Sequence, residues 1–168
     1  IMDPIAGINP KKDTTLALLL AAQRRGFELE YMEMADLSLH DGETMARTRR
    51  LRVHDSLDHW FDFESAYPEH PLPLGELDCV LMRKDPPFDM EFVFCTYLLE
   101  RAQKAGALVV NDPRSIRDSS EKMYTAWFAD LCPPTLVTRS NQDLRGYLDE
   151  HGDIVVKPLD GMGGASVF

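Results

Sequence analysis

The chain has 168 residues, 44% of them hydrophobic, and a formal net charge of −10. That length buries the core of one domain or one and a half. The acidic balance excludes general binding to nucleic acid or to acidic membrane surfaces, while a local basic site for a small phosphate ligand stays allowed.

Three cysteines, Cys79, Cys95 and Cys132, are an odd number without metal-ligand spacing, and they fit structural thiols in a reducing, cytoplasmic setting. No apolar run approaches the length of a membrane span. The opening "IMDPI" and the closing "ASVF" read as strands met midway, so a piece of a longer protein is expected.

In chain order, "IMDPI" predicts the end of a strand. Asp13 predicts the N-cap of a helix over "TTLALLLAAQRR" that Gly26 stops. "FELEYMEM" alternates as a half-buried strand, completing a βαβ unit. Asp41-Gly42 predicts a two-residue hairpin turn. Its second arm would carry Arg47, Arg49, Arg50 and Arg52, read as a solvated surface rather than an anion site. "DHWFDFE" predicts a short strand, and "YPEHPLPLGELD" a proline-rich loop.

"CVLM" predicts a buried strand, followed by a helix that Asp89 caps and Gly106 ends, then a strand over "ALVVN". Ser119 or Ser120 predicts the cap of a helix with Lys122 in its first turn. "TLVT" and "DIVVK" predict strands around a helix capped by Asn141. The fold class predicted is α/β. An open, mostly parallel sheet with helices on both faces would span residues 1–118, and a second unit would begin at 119 and run incomplete to 168.

In such sheets ligands bind beyond the carboxyl ends of the strands. That places Arg83, Lys84, Asp85 and Asn111 on the substrate side. A guanidinium beside a lysine suits a carboxylate ligand, and a salt bridge pinning the loop is the alternative.

The segment "DIVVKPLDGMGGAS" is not a P-loop, because Lys157 precedes the glycines, and it lacks the dinucleotide fingerprint. A glycine-rich loop between strands reads as a flap whose bare N–H groups can close over phosphates. Lys157 and Lys122, reaching from different elements, would clamp a triphosphate. No nucleophile or general base stands out, and His40, His54, His59, His70 and His151 read as surface histidines.

"EKMYTAWFAD", "PPTLVTRS" and "DIVVKPLDGMGGAS" together resemble the ATP-grasp ligases. "MDPI", "LMRKDPPFD", "NDPRSIRD" and "KPLDGMGGAS" look more closely like bacterial glutathione synthetase. The resemblance implies an amino-terminal substrate domain followed by the start of an ATP-grasp domain. It implies phosphate contacts from Lys122 and Lys157, with Gly161, Met162, Gly163, Gly164 and Ser166 in the flap, and Arg83 on the peptide side.

The implied reaction joins γ-glutamylcysteine to glycine with ATP, through an acyl phosphate. Magnesium, with manganese as an alternative, would be held by residues outside this chain, so no metal ligand is assigned here. A cytoplasmic homotetramer is implied as well. Another ATP-grasp carboxylate–amine ligase, or a non-catalytic nucleotide- or peptide-binding module, is the competing reading.

Overall fold

A computed structural model describes residues 1–84, 87–161 and 167–168. Helix α1 (Thr14–Arg24) starts where the Asp13 side chain accepts from the Leu16 N–H at 2.7 Å, and Gly26 follows it at φ +82°. Strand β1 (Leu29–Tyr31) comes next.

Strands β2 (Leu37–His40) and β3 (Glu43–Ala46) form the predicted hairpin, with Asp41 and Gly42 at φ 48° and 86°. Positive φ at both central residues is what a turn matched to strand twist requires. The arginines belong elsewhere. The hairpin arm ends at Ala46, and Arg49, Arg50 and Arg52 lie on β4 (Arg49–Val53) in a different sheet. The physical reason is the crossing at Arg47–Thr48. There the Arg47 N–H donates to Asp36 O, and Thr48 is buried.

Strand β4 pairs antiparallel with β1 and with β5 (Phe61–Phe63), while β6 (Leu72–Pro73) pairs with β3. Strand β7 (Cys79–Leu81) runs parallel to β8 (Leu108–Val110). The opening segment extends this parallel pair. The Ile1 nitrogen donates to Leu81 O at 2.8 Å, the Arg83 N–H donates to Ile1 O at 2.7 Å, and the Met2 N–H donates to Met32 O at 3.3 Å. The α/β class is as expected. Among the described residues, parallel pairing, expected to dominate, is found at this centre, because the short loops after β2 and β4 permit only antiparallel return.

Helix α2 (Met90–Ala105) is capped by Asp89 and closed by Gly106, as predicted. Its buried face of Phe92, Cys95, Leu99 and Ala102 meets Val80, Val109 and Leu74 in one core cluster. A second cluster joins Ile5, Leu16, Leu29, Leu51 and Val53. Cys79 is exposed, not buried as its apolar surroundings suggested.

Helix α3 (Pro113–Asp118) begins with Asp112 accepting from the Ser115 N–H and with Pro113 in the first turn. The predicted helix capped by Ser119 or Ser120 is therefore absent. Ser119 terminates α3, Lys122 lies in a turn, and a 3₁₀ segment over Tyr124–Leu131 follows. Helix α4 (Asn141–His151) is capped by Ser140 rather than Asn141, since the Ser140 hydroxyl reaches the Asp143 N–H.

The predicted strands over 135–138 and 153–157 are not strands. Among the described residues, backbone pairing in the latter joins Val156 with Phe168, at 2.8 and 3.0 Å. Among the described residues after Pro113, none is buried.

Two outcomes follow from this packing. A methyl group at Gly75 would meet the Ala105 Cβ at 2.6 Å, where a 3₁₀ turn abuts the end of α2. Gly75→Ala should therefore cost about 1–3 kcal/mol in denaturant unfolding, as overpacking does. Burial pushes the Cys95 thiol up to about 11, whereas Cys79 is exposed. At neutral pH a thiol reagent should label Cys79 in the folded protein and reach Cys95 only after denaturant is added.

Candidate functional site

The central strands end together, and two loops follow their carboxyl ends. After Met2 the chain turns through Asp3 and Pro4 into a 3₁₀ turn at Ile5–Gly7, then runs to the N-terminus of α1. After β7 it passes through Arg83. Between these loops lies a cavity of about 660 Å³ whose lining includes Asp3, Asn9, Lys12, Thr14, Thr15 and Arg83.

The Arg83 side chain donates from Nε to Thr15 Oγ1 at 3.2 Å and from Nη2 to Thr14 Oγ1 at 3.0 Å. Both partners are neutral hydroxyls, so these bonds fix the guanidinium without cancelling its charge. Thr14 and Thr15 open α1, whose first turn adds a favourable field for an anion. Lys84 behaves differently, its Nζ lying 2.7 Å from Asp3 Oδ1. The two open readings therefore divide between neighbours: Lys84 makes a loop-pinning salt bridge, and Arg83 faces a cavity. Asn111 is exposed at the end of β8, beyond the Met82 N–H bond to Val110 O, and it does not line the cavity. Asp85 lies outside the described residues.

The floor of this loop is braced by Tyr31. Its hydroxyl donates to Glu33 Oε1 at 2.6 Å and accepts from the Ile5 N–H at 3.3 Å. Burial, then the Glu33 bond, raises its pKa and keeps it a neutral donor.

The second grouping joins residues far apart in sequence. Lys122 Nζ donates to Gly161 O at 2.5 Å and to Glu121 Oε1 at 2.6 Å, and its side chain is 18% exposed. Lys122 therefore sits against the first residue of the glycine loop. Lys157 is exposed, four residues before Gly161 and so within about 14 Å along the chain. Met162, Gly163, Gly164 and Ser166 lie outside the described residues.

Sequence reading missed the threonine pair that seats Arg83. A hydroxyl doublet directly after an N-cap, facing a strand-end arginine, was the available signal. It also missed a grouping at the β4–β5 hairpin, where His54, His59 and Asp62 bring ligand atoms within 4.8 Å of one another. That is the sole three-residue grouping of its kind among the described residues. Two imidazoles and one carboxylate do not fit magnesium, which takes oxygen donors in octahedral geometry.

Comparison with known proteins adds two matches on the chain itself. The family profile of the prokaryotic glutathione synthetase N-terminal domain matches residues 1–117, and that of the prokaryotic glutathione synthetase ATP-grasp domain matches residues 121–168. Among curated relatives, glutathione synthetase of Salmonella typhimurium strain LT2 is 61% identical over 168 residues, all of this chain and 52% of the relative. Glutathione synthetases of Escherichia coli O127:H6 and K12 are 59% and 58% identical over the same span, again 52% of each relative. The chain thus spans about half the length of the curated relatives it matches.

Proposed function

This chain belongs to the prokaryotic glutathione synthetase family, and on that premise we propose that it serves the ATP-dependent joining of γ-glutamylcysteine to glycine, giving glutathione, ADP and phosphate. The observation that carries this reading is the Lys122–Gly161 contact, which joins an ammonium group to the glycine loop across 39 positions of sequence. We divide the chain into a substrate domain over 1–118 and the start of an ATP-grasp unit from 119, supported by profile matches that end at 117 and begin at 121.

The residues take these roles. Arg83, held by Thr14 and Thr15, binds a carboxylate of the peptide in the cavity beside α1. Lys84 and Asp3 keep the two loops together. Lys122 and Lys157 meet the ATP phosphates, with the glycine loop of Gly161, Met162, Gly163, Gly164 and Ser166 closing over them.

A carboxylate is a poor acylating agent. Transfer of the γ-phosphoryl group gives the peptide carbonyl a leaving group, and the glycine amine then displaces phosphate. The charge that moves is mostly phosphate charge, so fixed cations and backbone N–H groups stabilise it. Closure of the loop keeps water from the activated carbonyl. Magnesium supplies further charge neutralisation when bound, and none of this chain's residues is assigned to hold it. The enzyme works as a cytoplasmic homotetramer in this reading.

In the full-length enzyme, ADP release should require both γ-glutamylcysteine and glycine, whereas residues 1–168 alone should release none. Release that proceeds equally well with an unrelated acid and amine would favour another ligase of the superfamily. Lys157→Ala should lower kcat/KM for ATP by about 2–4 kcal/mol in transition-state terms, as loss of one preorganised donor does. A change within twofold would remove Lys157 from the site. Arg83→Met should raise KM for the peptide more than tenfold, about 1.4 kcal/mol or more, with KM for ATP nearly unchanged. Steady-state kinetics with each substrate varied in turn separates the two effects.

A further inference from the structure

We propose that His54, His59 and Asp62 form a surface site for a divalent cation of the zinc class, separate in residues and chemistry from the ligase site. The three belong to the hairpin joining β4 to β5. His54 follows the last residue of β4, and its backbone N–H extends the ladder to Trp60 O at 2.9 Å. Asp62 is the middle residue of β5 and pairs with Arg52 across the ladder. Strand alternation therefore puts Asp62 on the same face as His54. His59, in the loop, folds back three positions towards Asp62.

The carboxylate is used at both oxygens. His54 Nε2 lies 2.8 Å from Oδ2, and His59 Nε2 lies 3.0 Å from Oδ1. The imidazole rings stack, with centroids 5.4 Å apart and planes at 21°. One histidine would suffice to pin this turn through a hydrogen bond. Two imidazole nitrogens converging on the two oxygens of one carboxylate, with the rings stacked, bring three donor atoms to one point, which is the arrangement a single cation takes.

The dimensions agree. Ligands about 2.0–2.2 Å from a tetrahedral zinc lie roughly 3.4 Å from one another, and the three donor atoms here already fall within 4.8 Å. Borderline imidazole donors select zinc, copper or nickel over magnesium or calcium. The exposure of His59 and Asp62 leaves room for water in the remaining positions. Bound metal would staple the hairpin that packs Phe61 and Phe63 against the second core cluster.

The test is calorimetric titration of zinc chloride into the chelator-stripped protein at neutral pH. Controls are His70→Ala, an exposed histidine outside the cluster, and magnesium chloride in place of zinc. One saturable zinc site is expected. It should be unaltered in His70→Ala and weakened at least about tenfold in Asp62→Asn and in the milder His59→Gln. Magnesium should give no saturable heat. Zinc should also raise the melting temperature of the unsubstituted protein and not that of Asp62→Asn. Absence of saturable zinc binding, or binding equal in all variants, overturns the site. Neither result bears on the ligase reading, which rests on other residues.

Discussion

The arrangement depends on three backbone hydrogen bonds that seat the opening segment inside the sheet. Ile1 lies between Leu81 and Arg83, and Met2 reaches across to Met32. The segment is wedged between β7 and the end of β1, with Met2, Val80 and Met82 buried around it. This seating decides which side chains meet beyond the strand ends. It brings Asp3 within 2.7 Å of Lys84 and sets the loop into α1 opposite Arg83. A one-residue slip would turn each side chain to the other face. Asp3 would then point away from Lys84, and the ion pair that joins the two loops would be lost.

A different principle holds the region after Pro113. Helix α3 is fastened to α2 through Arg117, which donates to Thr96 Oγ1 at 3.0 Å and pairs with Glu100 at 3.1 Å while stacking on Tyr97. Beyond it, polar contacts such as Lys122 to Gly161 set position, since none of the described residues there is buried. A hydrogen bond to a charged group is worth about 1.5–3 kcal/mol. A contact of that size positions Gly161 against Lys122 without burial of apolar surface. Trp127 at 68% exposed and Leu131 at 84% show how little of this region's apolar surface its own fold covers.

What was legible in the sequence was whatever a few neighbouring residues decide. Asp13, Asp89 and Gly106 act within one helical turn, and Asp41-Gly42 acts within one hairpin, so each could be read directly. The segments over 135–138 and 153–157 have strand-like composition but are not strands, because a strand needs a partner's backbone and composition cannot supply one. Ser119 and Ser120 looked like caps, yet Asp112 with Pro113 made the stronger start, seven residues before Ser119, and Ser119 fell at the helix end. The His54, His59 and Asp62 grouping has spacings of five and three, and the five-residue step matches neither helix nor strand period. It appears only once the hairpin folds His59 back.

The same dependence on partners explains which cations in an acidic chain remain able to bind an anion. Four arginines lie between 47 and 52, and three of them have committed partners. In the fold, Arg50 meets Glu28 at 2.8 Å and Glu30 at 3.6 Å, and Arg52 meets Glu64 at 2.5 Å. Arg49 is stacked 3.3 Å from the Phe63 centroid and 4.2 Å from that of Tyr67, and its Nε is buried without a hydrogen-bond partner. Such stacking is worth about 0.5–2 kcal/mol and commits the guanidinium to the aromatic faces. Each of these three charges is thus cancelled or enclosed. Arg83 is seated instead by two hydroxyls at 3.0 and 3.2 Å, beside a helix N-terminus and at the wall of a cavity. A hydroxyl orients a cation without neutralising it. That difference in partner, rather than the number of arginines, leaves the Arg83 charge uncancelled at the wall of the cavity.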